Sequence, residues 1–412
     1  MLMRQNVVEK IQVPVPEALL KAHGRQWRAI VVFGDERDAT AVLIAPSKND
    51  TSREHPLWYD FPERALCSKD SKPRPMDETR LLEIRCKTRL SDYPYFTLFA
   101  RLPDGVTKAS EARGIFCLSL LANQISDVRL SLLNRDARGE VAEMIRYADE
   151  EKLIILCWGS RRLWDPGKNW DELPKREARE IDTRFDAVAS AWESGIKRLS
   201  QMYGFETENF LLWGFSGSAQ YAMRLAMRKP QYFSAVALQI PSSFDLPTSE
   251  AASVLWCLVT GEGESGYYRS QRFYRQCRLK GYRFLYKAVP GLGHQMHVGS
   301  MTLAKEFLAY AHSLPKKKEQ REAQLKKEMD TPMFYGDWLN QNVESSSGAL
   351  SIPDRLRVAL PTERLVYFWE MKPISGMPRP RSFPVAPILK QGAVSKETAE
   401  KLPSANIHSQ GS

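Results

Sequence analysis

A chain of 412 residues, 43% hydrophobic and 26% charged, is long enough to bury a sizeable core and has the balance of a soluble globular protein rather than a disordered one. Its net charge of +10 comes from 59 Lys and Arg set against 49 Asp and Glu. That excess is diluted by acids, and even the densest run, Lys316–Lys317–Lys318 followed by Glu319, Arg321 and Glu322, is mixed in sign, so no nucleic-acid partner is expected. No apolar stretch approaches the roughly 18 residues that a bilayer span needs.

The first residues carry no apolar h-region and no small-residue cleavage site, so a cytoplasmic location is expected. Residues 27–33, 40–44, 81–87 and 93–102 are short β-rich runs bounded by Gly, Pro and Asp, with a polar loop at 47–75 between them. They predict an N-terminal β-rich extension over 1–108, with a small sheet of its own. From about residue 113 the pattern changes to continuous apolar runs alternating with helical periodicity. Runs at 114–121, 152–158, 210–213, 235–238, 254–259 and 282–289 predict strands buried on both faces. Between and after them, 137–150, 182–203, 216–227, 268–280 and 301–314 predict helices; in 182–203 the apolar Phe185, Val188, Ala189, Trp192, Ile196 and Leu199 recur three and four apart.

This alternation predicts an α/β fold: a mostly parallel central sheet flanked by helices, forming a catalytic domain over 109–314. In such a sheet, ligands bind at the carboxyl ends of the strands. A C-terminal extension over 315–371 is expected to pack back on that domain, and the Pro-, Ser- and Lys-rich 372–412 to be a disordered tail. The six cysteines show no C-x-x-C spacing; Cys117, Cys157 and Cys257 lie inside apolar runs, as free thiols do in a reducing compartment. Neither a metal nor a cofactor is called for.

The strongest chemical signal is Trp213-Gly214-Phe215-Ser216-Gly217-Ser218-Ala219, where a strand enters Gly-x-Ser-x-small and leaves directly as a helix. A serine on so sharp a turn has its hydroxyl exposed above the sheet, and the helix start supplies N–H groups and a positive dipole end for an oxyanion. The segment resembles the nucleophile elbow of the α/β-hydrolase family, with Ser218 standing where the family has its second glycine. Gly291-Leu292-Gly293-His294, after the last strand and before the last helix, resembles that family's histidine loop.

The resemblance covers about residues 110–314 and implies a serine hydrolase with Ser216 as nucleophile and His294 as base. His297, three residues on, reads as a histidine on the surface or one supporting the site from behind, rather than as the base. For the acid, the loop Gly261-Glu262-Gly263-Glu264 ranks Glu264 first and Glu262 second, with Asp245 third. The oxyanion hole is expected from the N–H of Gly217 and from Ala122 or Asn123 after the first buried strand. Phe215, Trp158 and Trp164 are candidate pocket residues. The implied reaction is hydrolysis of a small-molecule carboxylic ester through an acyl-enzyme. Peptidase activity of the same fold, or a non-catalytic binding protein keeping the fold, are the alternatives.

Overall fold

The continuous apolar runs become the middle of one sheet. Gly114–Leu120 (β5), Leu153–Gly159 (β6), Phe210–Phe215 (β7), Phe233–Gln239 (β8), Leu255–Gly261 (β9) and Phe284–Val289 (β10) pair in parallel. Helices cover both faces, so no strand position can be spent on a water-facing polar residue. Gln239 turns its amide to the Ser300 carbonyl of Val298–Ser313 at 2.7 Å. On the opposite face Trp256 meets Phe273 of Tyr267–Leu279. The computed structural model describes residues 28–32, 40–44, 81–91, 93–120, 125–133, 140–159, 175–295 and 297–371. All of them lie in the unit formed by residues 1–378.

The sheet begins earlier than residue 109. Leu81–Lys87 (β3) and Tyr95–Arg101 (β4) pair antiparallel with each other, and β4 pairs antiparallel with β6. The full strand order is β10-β9-β8-β7-β5-β6-β4-β3. The expected self-contained N-terminal sheet is thus corrected in its second half, which belongs to the central sheet. In β3, Ile84 and Cys86 are buried while Glu83, Arg85 and Lys87 are exposed or half exposed. Charges along an outer strand block further pairing, which is how an edge is protected. Arg28–Val32 (β1) and Thr40–Ile44 (β2) form a separate antiparallel pair.

The helices are Ile125–Leu133 (α1), Glu140–Glu150 (α2), Lys175–Tyr203 (α3), Gly217–Arg228 (α4), Tyr267–Leu279 (α5) and Val298–Ser313 (α6). The apolar stripe of α3 includes Trp192, which is 1% exposed and meets Trp158, Phe210, Tyr232 and Phe233. Helix α1 has no counterpart among the helices expected from the sequence. The described cysteines, Cys86, Cys117, Cys157, Cys257 and Cys277, are buried and unbridged.

After α6 come Lys318–Leu325 (α7), the strands Phe334–Asp337 (β11), Val343–Ser345 (β12) and Arg357–Leu360 (β13), and Glu363–Trp369 (α8). The three strands form a second sheet in the order β12-β11-β13. This segment covers the β10 edge: the Trp369 indole N–H donates to the Tyr286 carbonyl at 2.9 Å, and the Tyr274 hydroxyl donates to the Arg357 carbonyl at 2.7 Å. Beneath it lies Lys287, 0% exposed, with its Nζ 4.1 Å from the centre of the Trp369 ring. Burial pulls its pKa from 10.5 down to about 7, against the opposing pull of Glu370 and Glu262.

Candidate active site

Ser216 sits between β7 and α4 with φ 54° and ψ −127°, a left-handed-side conformation rare for a residue with a Cβ. Two backbone hydrogen bonds hold it there: Ser216 N–H to the Gln239 carbonyl at 2.8 Å and Ala219 N–H to the Ser216 carbonyl at 3.0 Å. The turn is tight enough that a Cβ at Gly214 would come within 2.7 Å of the Ser218 carbonyl oxygen and 2.8 Å of the Ala219 Cα. That close approach is why the residue two before the serine is glycine. Ser218 is 4% exposed, and its hydroxyl bonds to the backbone of Phe215. Gly217 opens α4, so its N–H belongs to the first turn, where helical donors lack an intrahelical acceptor.

The Ser216 Oγ is 2.7 Å from His294 Nε2, and His294 Nδ1 is 2.8 Å from Glu264 Oε2. With the Nδ1 proton donated to the carboxylate, Nε2 is left to accept from the serine hydroxyl. The imidazole is 46% exposed on its side chain, whereas the Glu264 side chain is 3% exposed. Burial raises the Glu264 pKa, but the hydrogen bond and charge of His294, with help from the Ser265 hydroxyl and the Gly266 N–H, outweigh it and the carboxyl ends below its ordinary value. The Ser265 hydroxyl donates to Oε1 at 3.0 Å, so the two carboxylate oxygens are divided between two donors.

The acid and histidine loops are locked to each other. Gly263 N–H donates to the Leu292 carbonyl at 2.9 Å and Glu262 N–H to the Val289 carbonyl at 3.1 Å. A Cβ at Gly261 would lie 2.1 Å from the Leu292 oxygen, which only the absence of a side chain permits. Gly261, read in the sequence only as part of an acidic loop, thereby sets the distance between Glu264 and His294.

The other candidates are placed elsewhere. Asp245 accepts from Arg224, itself 1% exposed, through Nε at 2.9 Å and Nη2 at 2.8 Å, so its carboxylate is committed to an ion pair away from the imidazole. Glu262 is half-buried and its backbone joins the loop lock, while it is Glu264 that meets His294. His297 is 1% exposed at the start of α6, and burial pushes its pKa down to about 4, which keeps it neutral. Trp158 is 3% exposed and packs edge-on against Trp192 of α3. Phe215 is half-buried with its ring 6.0 Å from the His294 ring. Ala122, Asn123 and Trp164 lie outside the described residues.

The strand order, the single reversed strand β4 and the strand–elbow–helix at Ser216 define an α/β-hydrolase fold. No protein-family model matches the chain, and neither does any curated protein. Among solved structures, the chain is similar to a fluorophosphonate-binding serine hydrolase of Staphylococcus aureus, at 9% identity and TM-score 0.37 over 57% of this chain and 98% of that one. A ferulic acid esterase from Anaeromyces mucronatus aligns at 12% identity and TM-score 0.41, over 61% of this chain and 94% of that one. A dipeptidyl aminopeptidase IV-like protein from Bacteroides ovatus aligns at 10% identity and TM-score 0.40, over 56% of this chain and 35% of that one. The fold assignment rests on the strand order and the elbow themselves. Among the described residues no helix is long and apolar enough to cross a membrane.

Proposed function

We propose that the protein is a serine hydrolase that cleaves a carboxylic ester through an acyl-Ser216 intermediate. The observation that carries this reading is the unbroken relay Ser216 Oγ–His294 Nε2–Glu264 at 2.7 and 2.8 Å, built on a serine in strained backbone geometry. As the Ser216 oxygen bonds to the ester carbon, its proton passes to His294 Nε2 and the carbonyl π electrons move onto oxygen. Collapse of that tetrahedral species expels the alcohol, which takes the proton back from His294. Water then repeats the sequence on the acyl-enzyme and releases the acid.

Glu264 holds the imidazole in the tautomer that leaves Nε2 open and stabilises the imidazolium that forms. The oxyanion takes the Gly217 N–H, with Ala122 or Asn123 assigned as the second donor. Phe215, beside the imidazole, supplies an apolar wall for the acyl or alcohol group.

The test is labelling with a fluorophosphonate probe together with turnover of p-nitrophenyl acetate. Wild type labels and turns over; Ser216→Ala does neither, and His294→Ala loses at least roughly 10⁴-fold in kcat. Equal labelling of wild type and Ser216→Ala would overturn the assignment. Turnover of peptide p-nitroanilides with no ester turnover would move the reading to amide chemistry.

A further inference from the structure

We propose that Ser218 is a positioning residue for the nucleophile, its buried hydroxyl clamping both peptide groups of Phe215 and so setting the turn that presents Ser216. The inference rests on the reading of Ser216 as nucleophile. It starts from the one place where the elbow departs from the family pattern, a serine in the second glycine position.

Along a strand, successive backbone groups face opposite neighbours. Ser216 N–H goes to Gln239 of β8, so the N–H and C=O of Phe215 face the other way, toward β5. The pairing of β5 with β7 ends at Leu118↔Trp213, two residues short of Phe215. Beyond that point, among the described residues, β5 provides no ladder partner for Phe215, and a buried backbone donor without a partner is costly. The Ser218 hydroxyl fills this gap twice over: it accepts from Phe215 N–H at 2.9 Å and donates to the Phe215 carbonyl at 2.8 Å. One hydroxyl has the donor and acceptor capacity to do both.

The consequence falls on the next residue. The Phe215 carbonyl belongs to the peptide plane that sets φ of Ser216, and that φ is 54°. A left-handed residue relaxes unless its surroundings over-determine it. Two bonds already named restrain the elbow from the Ser216 side. The Ser218 clamp restrains it from the Phe215 side. Glycine at 218 would fit the space but leave the Phe215 groups to water, and Oγ of Ser216 would spend less time at hydrogen-bond distance from His294.

The experiment uses the full chain with Ser218→Gly, Ser218→Ala and Ser218→Thr, reading kcat and KM for p-nitrophenyl acetate, the rate of fluorophosphonate labelling, and the melting temperature. Ser218→Gly and Ser218→Ala are expected to lose on the order of tenfold in kcat. KM should stay within about twofold, since the clamp touches no substrate. Labelling should slow in step with kcat, and Ser218→Thr, which returns a hydroxyl, should recover most of the loss. A lowered melting temperature with kcat unchanged in Ser218→Gly would mean a merely structural residue and would overturn the proposal. Should Ser218→Gly not fold, the alanine and threonine variants decide: a faster threonine variant supports the clamp, and equal rates overturn it. The nucleophile reading fails separately, through turnover that survives in Ser216→Ala.

Discussion

Replacing Lys287 by methionine should stabilise the protein, and by an amount that depends on pH. The amine is 0% exposed on β10 beneath Trp369, and burial brings its pKa from 10.5 to about 7. In the unfolded chain the amine keeps its proton up to about pH 10.5; in the folded protein it gives it up near 7. Between those values the unfolded state binds more protons, so stability rises with pH through that window. At about 1.4 kcal/mol per pH unit, the folded protein bears a cost of at most about 4 kcal/mol at pH 7, and the cost fades as pH climbs. Methionine keeps the unbranched stem and places a thioether near the indole, removing the titration while preserving most of the packing. Urea unfolding of both proteins at pH 7, 8 and 9 measures the difference directly. Lys287→Met should lead by roughly 1–4 kcal/mol at pH 7, and the lead should shrink by about 1 kcal/mol for each pH unit. A lead that does not change with pH would refute the titration argument. A variant less stable at every pH would show that the ammonium stays charged and is held by the ring face.

Three further outcomes follow from the site. Gly261→Ala should cut kcat by at least roughly 100-fold and lower the melting temperature, because its Cβ must displace the Leu292 carbonyl that joins the acid and histidine loops. A variant with normal turnover would show that the loops separate freely. Glu264→Gln should lose roughly 10³–10⁴-fold in kcat, whereas Asp245→Asn should leave the specific activity of folded protein unchanged. The latter should instead destabilise by about 3 kcal/mol in denaturant titrations, since Arg224 is left buried without its carboxylate; the reverse pattern would reassign the acid. Ser265→Ala should lower kcat a few-fold and make Glu264 easier to protonate, because one of the donors holding its pKa below the ordinary value is gone. The check is whether the acid side of the kcat/KM–pH profile moves, and an unmoved profile with unchanged kcat would count against the bond.

Much of the site could be read because it depends on local chemistry. A strand that must turn into a helix within three residues needs Gly214 and permits a strained Ser216, and both are visible in the order Gly-Phe-Ser-Gly. A histidine in the short loop between β10 and α6 is equally local. What could not be read were the non-local commitments of polar groups. Asp245 is an acid in a plausible loop until Arg224, 21 residues earlier, takes it. Trp158 lies beside the carboxyl end of its strand, yet the side on which it points is decided by where α3 packs.

By itself, then, the chain determined the apolar runs of a doubly covered sheet and the sharp turn at Ser216, because each is written in neighbouring residues. Only the tertiary structure decided that β3 and β4 join the central sheet, that Glu264 and not Glu262 or Asp245 meets His294, and that Ser218 holds the backbone of Phe215. Each of those outcomes depends on which groups come within hydrogen-bond reach once distant segments pack, and a linear pattern carries no distances between them.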